Sequence, residues 1–144
     1  MTANDVDGGA SVTFFSRTYD EALQLTREAR DYIAGRGAQE RARLSPGGKL
    51  AASCEEMRLT ARLTQVMAWL LTQRAVHEGE ITRAEAAEPE HRLAGEAACL
   101  ADPVVPKEEL PERLGDLLDR SRNLYERVQR LDATLDQDRE SGSP

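Results

Sequence analysis

The chain has 144 residues, 31% of them charged, and a formal net charge of −7. That length suits one domain with its own core rather than two. The negative balance argues against nucleic acid and anionic membrane surfaces as partners, because a chain that neutralises phosphates needs a basic face.

Residues 1–11 are small and polar and read as a flexible start. Val12, Phe15, Tyr19, Ala22, Thr26, Ala29 and Ile33 then recur at three- and four-residue steps, which predicts one face of a helix. Thr18 and Glu21 have the spacing of a capping box, so the helix is expected to start near Thr18, with Phe14 and Phe15 as a packed lead-in. Gly35 and Gly37 end it, and RGAQERARLSPGG reads as a linker. A second long helix is expected from Pro46 to Glu78, about 45 Å in length, stopped by Gly79. Residues 80–109 form the least regular part, long for a connection within a bundle. In it, Ile81-Thr82-Arg83 opens a short helix that Pro89 closes. Glu90 to Leu100 reads as another, and Pro103 and Pro106 hold the chain extended.

The last helix has the cleanest pattern. Leu110, Leu114, Leu117, Ser121, Leu124, Val128, Leu131 and Leu135 alternate steps of four and three, and Pro111 sits where a first-turn proline is tolerated. A stripe of that period packs antiparallel or coiled against other helices. The segment QDRESGSP, residues 137–144, has nothing to bury and reads as a disordered tail. No strand pattern is present. The expected fold is all-α: an antiparallel three-helix bundle over residues 12–136, with a long irregular connection between its second and third helices.

The second helix carries apolar residues on more than one side. One stripe, Leu50, Cys54, Met57, Ala61, Thr64, Ala68, Leu71 and Ala75, consists mostly of small residues and predicts close helix packing in the core. An opposed stripe, Leu59, Leu63, Val66 and Leu70, is surplus to a three-helix bundle and is the expected homodimer face. Between them runs a polar band, Arg58, Arg62, Gln65, Trp69 and Thr72, holding the only tryptophan. A tryptophan among arginines has the make-up of a partner-binding hot spot. The competing structural reading has Trp69 capping an interhelical groove, its indole N–H on a backbone carbonyl.

Residues for chemistry are few. Glu88-Pro-Glu-His91 has the Glu-x-x-His spacing of di-iron bundles, but such sites need two copies and further carboxylates on facing helices, and the chain has two histidines. His77 falls at a helix C-terminus, where its positive form interacts favourably with the helix dipole. Cys54 is expected to fill the core and Cys99 to be partly exposed. Two cysteines make no disulfide framework, the first nine residues have no secretory pattern, and no apolar run reaches 18 residues. A reduced cytoplasmic setting with free thiols follows. No phosphate loop is present either, and the chain is expected to be non-enzymatic, with no cofactor or metal.

Met57-Arg-Leu-Thr-Ala-Arg-Leu63, Trp69-Leu-Leu71, Gln73-Arg-Ala-Val76 and Glu78-Gly-Glu-Ile-Thr82 resemble the hallmark segment of the RcdA family, regulators of CtrA degradation in alphaproteobacteria. Ser121, Leu124, Arg127, Val128, Arg130, Leu131 and Asp132 resemble the same family's C-terminal helix. The resemblance implies a dimeric three-helix bundle that acts as an adaptor in cell-cycle proteolysis. Its implied partners are the ClpXP protease, a CpdR-like response regulator, substrates such as CtrA, and a cyclic-di-GMP effector protein. Family members collect at a cell pole, and no catalytic residue is carried over. The alternative reading of the same features is a structural scaffold at the pole or division site.

Overall fold

The computed structural model describes the backbone of residues 3–141 and the side chains of residues 14–136. The described chain is all-helical. It contains α1 (Ala3–Ala34), α2 (Arg36–Ala42), α3 (Pro46–His77), α4 (Arg83–Ala86), α5 (Glu96–Cys99) and α6 (Glu112–Ser141), with 3₁₀ turns at Pro89–His91 and Lys107–Glu109. Three long helices pack on one another, as the periodicity predicts, but a three-helix bundle describes only part of the molecule.

Helix α1 runs through Thr18 instead of starting there. Thr18 is buried and its hydroxyl donates back to the Phe14 carbonyl at 3.0 Å, so it serves inside the helix. Helical backbone also covers most of the two stretches expected to be a flexible start and a disordered tail; their side chains, and residues 1, 2 and 142–144 altogether, lie outside the described residues. The expected linker after Gly35 is in large part helix α2. It is pinned by Tyr32, whose hydroxyl donates to Glu40 at 2.6 Å, and by an ion pair between Arg41 and Glu56. Gly37 is buried, and a Cβ there would lie 2.7 Å from both the Tyr32 ring and the Tyr32 carbonyl. Only glycine permits this approach of α2 to α1.

The boundaries of α3 follow local rules. Ser45 caps it by accepting from the Gly48 N–H at 3.1 Å, and Pro46 occupies the first turn. At the far end Gly79 adopts φ +76°, the left-handed conformation that terminates helices. Thr82 and Glu85 complete a capping box for α4.

The helix directions depart from expectation. Glu28 of α1 pairs with Arg113 and Arg120 of α6, and Glu21 pairs with Arg127, so α1 and α6 are antiparallel. The Phe15 ring lies 5.1 Å from the His77 ring, so α1 and α3 are antiparallel too. Arg62 of α3, however, reaches Leu118 and Ser121, and Trp69 reaches Asp132. Helices α3 and α6 are therefore parallel. A parallel pair requires the chain to travel back the length of α3, about 48 Å, before α6 begins. The irregular segment 78–111 makes that journey, which accounts for its length.

This returning segment is a strap laid in the groove between α3 and α6. Leu93, Cys99, Leu100, Val105 and Leu110 anchor it to the core, beside Leu25 of α1 and Leu114, Leu117, Leu124, Tyr125 and Val128 of α6. Tyr125 holds it further by donating to the Ala94 carbonyl at 2.8 Å. Arg92 grips α6 through Asp132 and Asp136, each at 2.8 Å.

Candidate functional site

The two apolar stripes of α3 are inverted relative to expectation. Leu59, Leu63, Val66 and Leu70, the candidate dimer face, are 0–4% exposed and belong to the core of the single chain. Each buried side chain of this size contributes about 1.5–3 kcal/mol, and α1, α6 and the strap already take up the stripe. The small-residue stripe faces outward: Leu50 is 68% exposed, Met57 73% and Leu71 49%. Cys54 and Ala61 are half-buried, and Thr64 and Ala68 are exposed.

The polar band faces the strap rather than a partner. Arg62 is 3% exposed. Its Nε donates to the Cys99 carbonyl at 2.6 Å and its Nη1 to the Leu118 carbonyl at 3.1 Å. Arg58 donates to the Ala98 carbonyl at 3.2 Å and pairs with buried Glu55 at 2.6 Å. Gln65 accepts from the Ala94 N–H at 3.2 Å, and Glu55 accepts from the Val104 N–H at 3.0 Å. These contacts have one physical purpose. A strap of short helical turns pairs only part of its own backbone groups, and side chains of α3 pair others. Trp69 is 6% exposed, and its indole N–H donates to the Asp132 carboxylate at 2.8 Å. It caps the interhelical groove, with a side-chain acceptor in place of the expected carbonyl. Thr72, at the edge of the band, donates to the Ala68 carbonyl of its own helix. The candidate partner-binding set is thus largely spent inside the molecule.

Cys99 is 1% exposed, contrary to expectation, and burial raises its thiol pKa above the ordinary value. A protonated, enclosed thiol is a poor nucleophile. Burial likewise lowers the Arg62 pKa and raises that of Tyr125 to about 12. Glu88 precedes a 3₁₀ turn that His91 ends, so the two do not project from one α-helix. Among the described residues no three His, Cys, Asp or Glu side chains are grouped to hold a metal ion. No described helix is long and apolar enough to cross a membrane.

What remains for function is a surface. The outward stripe of α3 keeps a strict four-three spacing from Leu50 to Ala75, about 38 Å along the helix. Beside it α1 and α3 enclose a groove of about 460 Å³, lined by Thr26, Arg30 and Ile33 on one side and Thr60, Met67 and Leu71 on the other. A four-three stripe left largely open by its own chain has the pattern that packs knobs-into-holes on another helix.

The comparisons with known proteins agree with the segments that first suggested a family. The family described as "Protein of unknown function (DUF1465)" matches residues 7–144. A solved structure, that of RcdA from Caulobacter crescentus CB15, is 44% identical to the chain. It covers 84% of this chain and 89% of its own, with a TM-score of 0.65. The chain belongs to the RcdA family. No curated protein matches it. Within this RcdA-family chain, the hallmark residues of α3 include the core leucines Leu59, Leu63 and Leu70, the side chains of Arg58, Arg62 and Trp69 that hold the strap and α6, and the outward-facing Met57 and Leu71. Their spacing in the sequence is that of a folded groove, and the outward stripe is interleaved with it.

Proposed function

We propose that this RcdA-family chain is a non-catalytic adaptor in regulated proteolysis. It brings CtrA-like substrates to the ClpXP protease, together with a CpdR-like response regulator and a cyclic-di-GMP effector protein. Membership in the family supports the cellular role. The observation that carries a contact-making role is the exposed four-three stripe on α3, with Met57 and Leu50 its most exposed large apolar side chains. The chain works in the cytoplasm, gathered at a cell pole, as a homodimer that pairs α3 with its twin across this stripe. An adaptor of this kind acts by raising the local concentration of substrate at the protease, which needs no catalytic group.

Reconstitution tests the reading. Purified protease, primer and candidate substrate should degrade faster with the chain than without it. Unchanged degradation together with no pairwise binding to any component refutes the adaptor role. Sedimentation equilibrium tests the dimer: Met57→Asp and Leu71→Asp should give folded monomers that keep the parent's helical content but lose the stability that association adds. A scaffold would instead polymerise with concentration. An isologous stripe closes on itself at two copies, which favours the adaptor.

A further inference from the structure

A second cavity, of about 510 Å³, lies at the end of the molecule where α1, the C-terminal turns of α3, α4 and α6 converge. Its size falls in the range of small-molecule sites, roughly 300–1,000 Å³. Its walls are apolar, with Phe15, Trp69, Leu70, Val76, Leu131 and Leu135 among the lining side chains, and Phe14, 48% exposed, lies among them.

The polar groups of the lining include donors that nothing in the chain's described part pairs. The Gln73 Nε2 is buried and has no hydrogen-bond partner, and a buried donor left unpaired costs about 1–3 kcal/mol. Arg83 and His77 also line the cavity, and neither side chain makes a hydrogen bond or ion pair with any described residue. The hydroxyls of Thr18 and Thr134 are already spent on the carbonyls of Phe14 and Leu131. Among the described residues no carboxylate lines the space. A ligand entering here meets hydrocarbon, uncommitted N–H donors and a guanidinium.

We propose that this cavity binds an apolar monocarboxylate: a hydrocarbon body against Trp69 and Leu70, and a carboxylate that accepts from Gln73 and Arg83. A peptide fits less well, because the helical walls spend their backbone groups internally and would leave the peptide's amides unpaired. An amine would bring a second positive charge to a lining whose one permanently charged group, among the described residues, is the Arg83 guanidinium. The site does not depend on the proteolytic role or on the α3 stripe.

Trp69, the only tryptophan, reports directly on the cavity. Titration of the full chain with decanoate should give a saturable change in its emission at one ligand per chain, with matching calorimetry. Decanol and decylamine should bind at least tenfold more weakly. Gln73→Met, which replaces the amide with an apolar chain of similar shape, and the exposed Arg83→Ala should each weaken decanoate about tenfold and leave decanol unchanged. That reduction corresponds to about 1.4 kcal/mol, one charge-assisted hydrogen bond. The absence of saturable decanoate binding overturns the proposal. So does decanol binding as tightly as decanoate, or an undiminished response in both variants, since the space would then be a water-filled or unselective apolar gap. Arg83→Ala alone decides the point if Gln73→Met melts below the parent.

Discussion

The strap hangs on Arg62, and its removal offers the sharpest test of the fold. Arg62 is buried without a carboxylate at ion-pair distance; it gives three hydrogen bonds, to the Cys99 carbonyl at 2.6 Å, the Leu118 carbonyl at 3.1 Å and the Ser121 hydroxyl at 3.3 Å. Arg62→Met keeps most of the side-chain volume and deletes all three. The Leu118 carbonyl retains the Ser121 hydroxyl at 3.0 Å, but the carbonyl of buried Cys99 loses the side-chain donor that reaches it. An orphaned acceptor costs about 1–3 kcal/mol, and each charge-assisted bond contributes about 1.5–3 kcal/mol. Against this, the variant no longer buries a guanidinium, which returns several kcal/mol of desolvation. The balance is a loss of about 2–3 kcal/mol. For a chain of this size that lowers the melting temperature by roughly 6–12 °C. Hydrogen exchange locates the damage: strap amides between residues 92 and 104 should exchange much faster, while the slowest amides of α1 and α3 change only by the global loss. Lys49→Met, at an exposed position of the same helix outside the stripe, should shift stability by no more than about 0.5 kcal/mol. If Arg62→Met melts with the parent, or opens every element equally, the strap is not held as argued.

Three further outcomes follow from single contacts. Gly37→Ala drives a methyl group into Tyr32 and should cost about 1–3 kcal/mol by chemical denaturation, whereas Gly47→Ala, where a Cβ meets nothing within 4 Å, should be neutral or slightly stabilising. The hydrogen bonds from Arg120 and Arg113 hold the Glu28 carboxyl below its ordinary pKa. The folded state therefore favours the carboxylate, and this contribution is present above the unfolded pKa, near 4.3, and fades as pH falls through the lower folded value. Glu28→Gln should lose about 0.5–1 kcal/mol at pH 7, and melting curves of the two proteins should converge below about pH 3. Thiol titration of the native chain should find half-buried Cys54 reacting first, with Cys99 reacting only as fast as the strap opens; equal rates would contradict the burial of Cys99.

The elements of this protein were legible where one physical rule acts locally. The leucine repeat of α6 has no competing face, and the residues its spacing names are buried from Leu110 through Leu114, Leu117, Ser121, Leu124 and Val128; Leu118 and Tyr125 beside them are buried as well, and Leu131 and Leu135 only in part. Pro46, Gly79 and the Thr82–Glu85 pair set boundaries through φ and capping, and these need no tertiary context. Thr18 misled because a capping-box spacing inside a helix is satisfied equally by a hydroxyl bonding back to the preceding turn.

The sequence by itself determined that α3 carries two apolar stripes and a polar band, but only the tertiary structure decided which of them turns inward. Both stripes satisfy helical periodicity, so the pattern holds no sign. The choice came from the strap: α6 runs parallel to α3, the chain must return along the groove between them, and its unpaired backbone groups draw Arg58, Arg62 and Gln65 inward. Once that band is turned to the strap, the adjoining leucines complete the core and the small-residue stripe is left on the outside. Hydrogen bonding of an irregular segment, which no helical period records, oriented the helix and so placed the surface available to a partner.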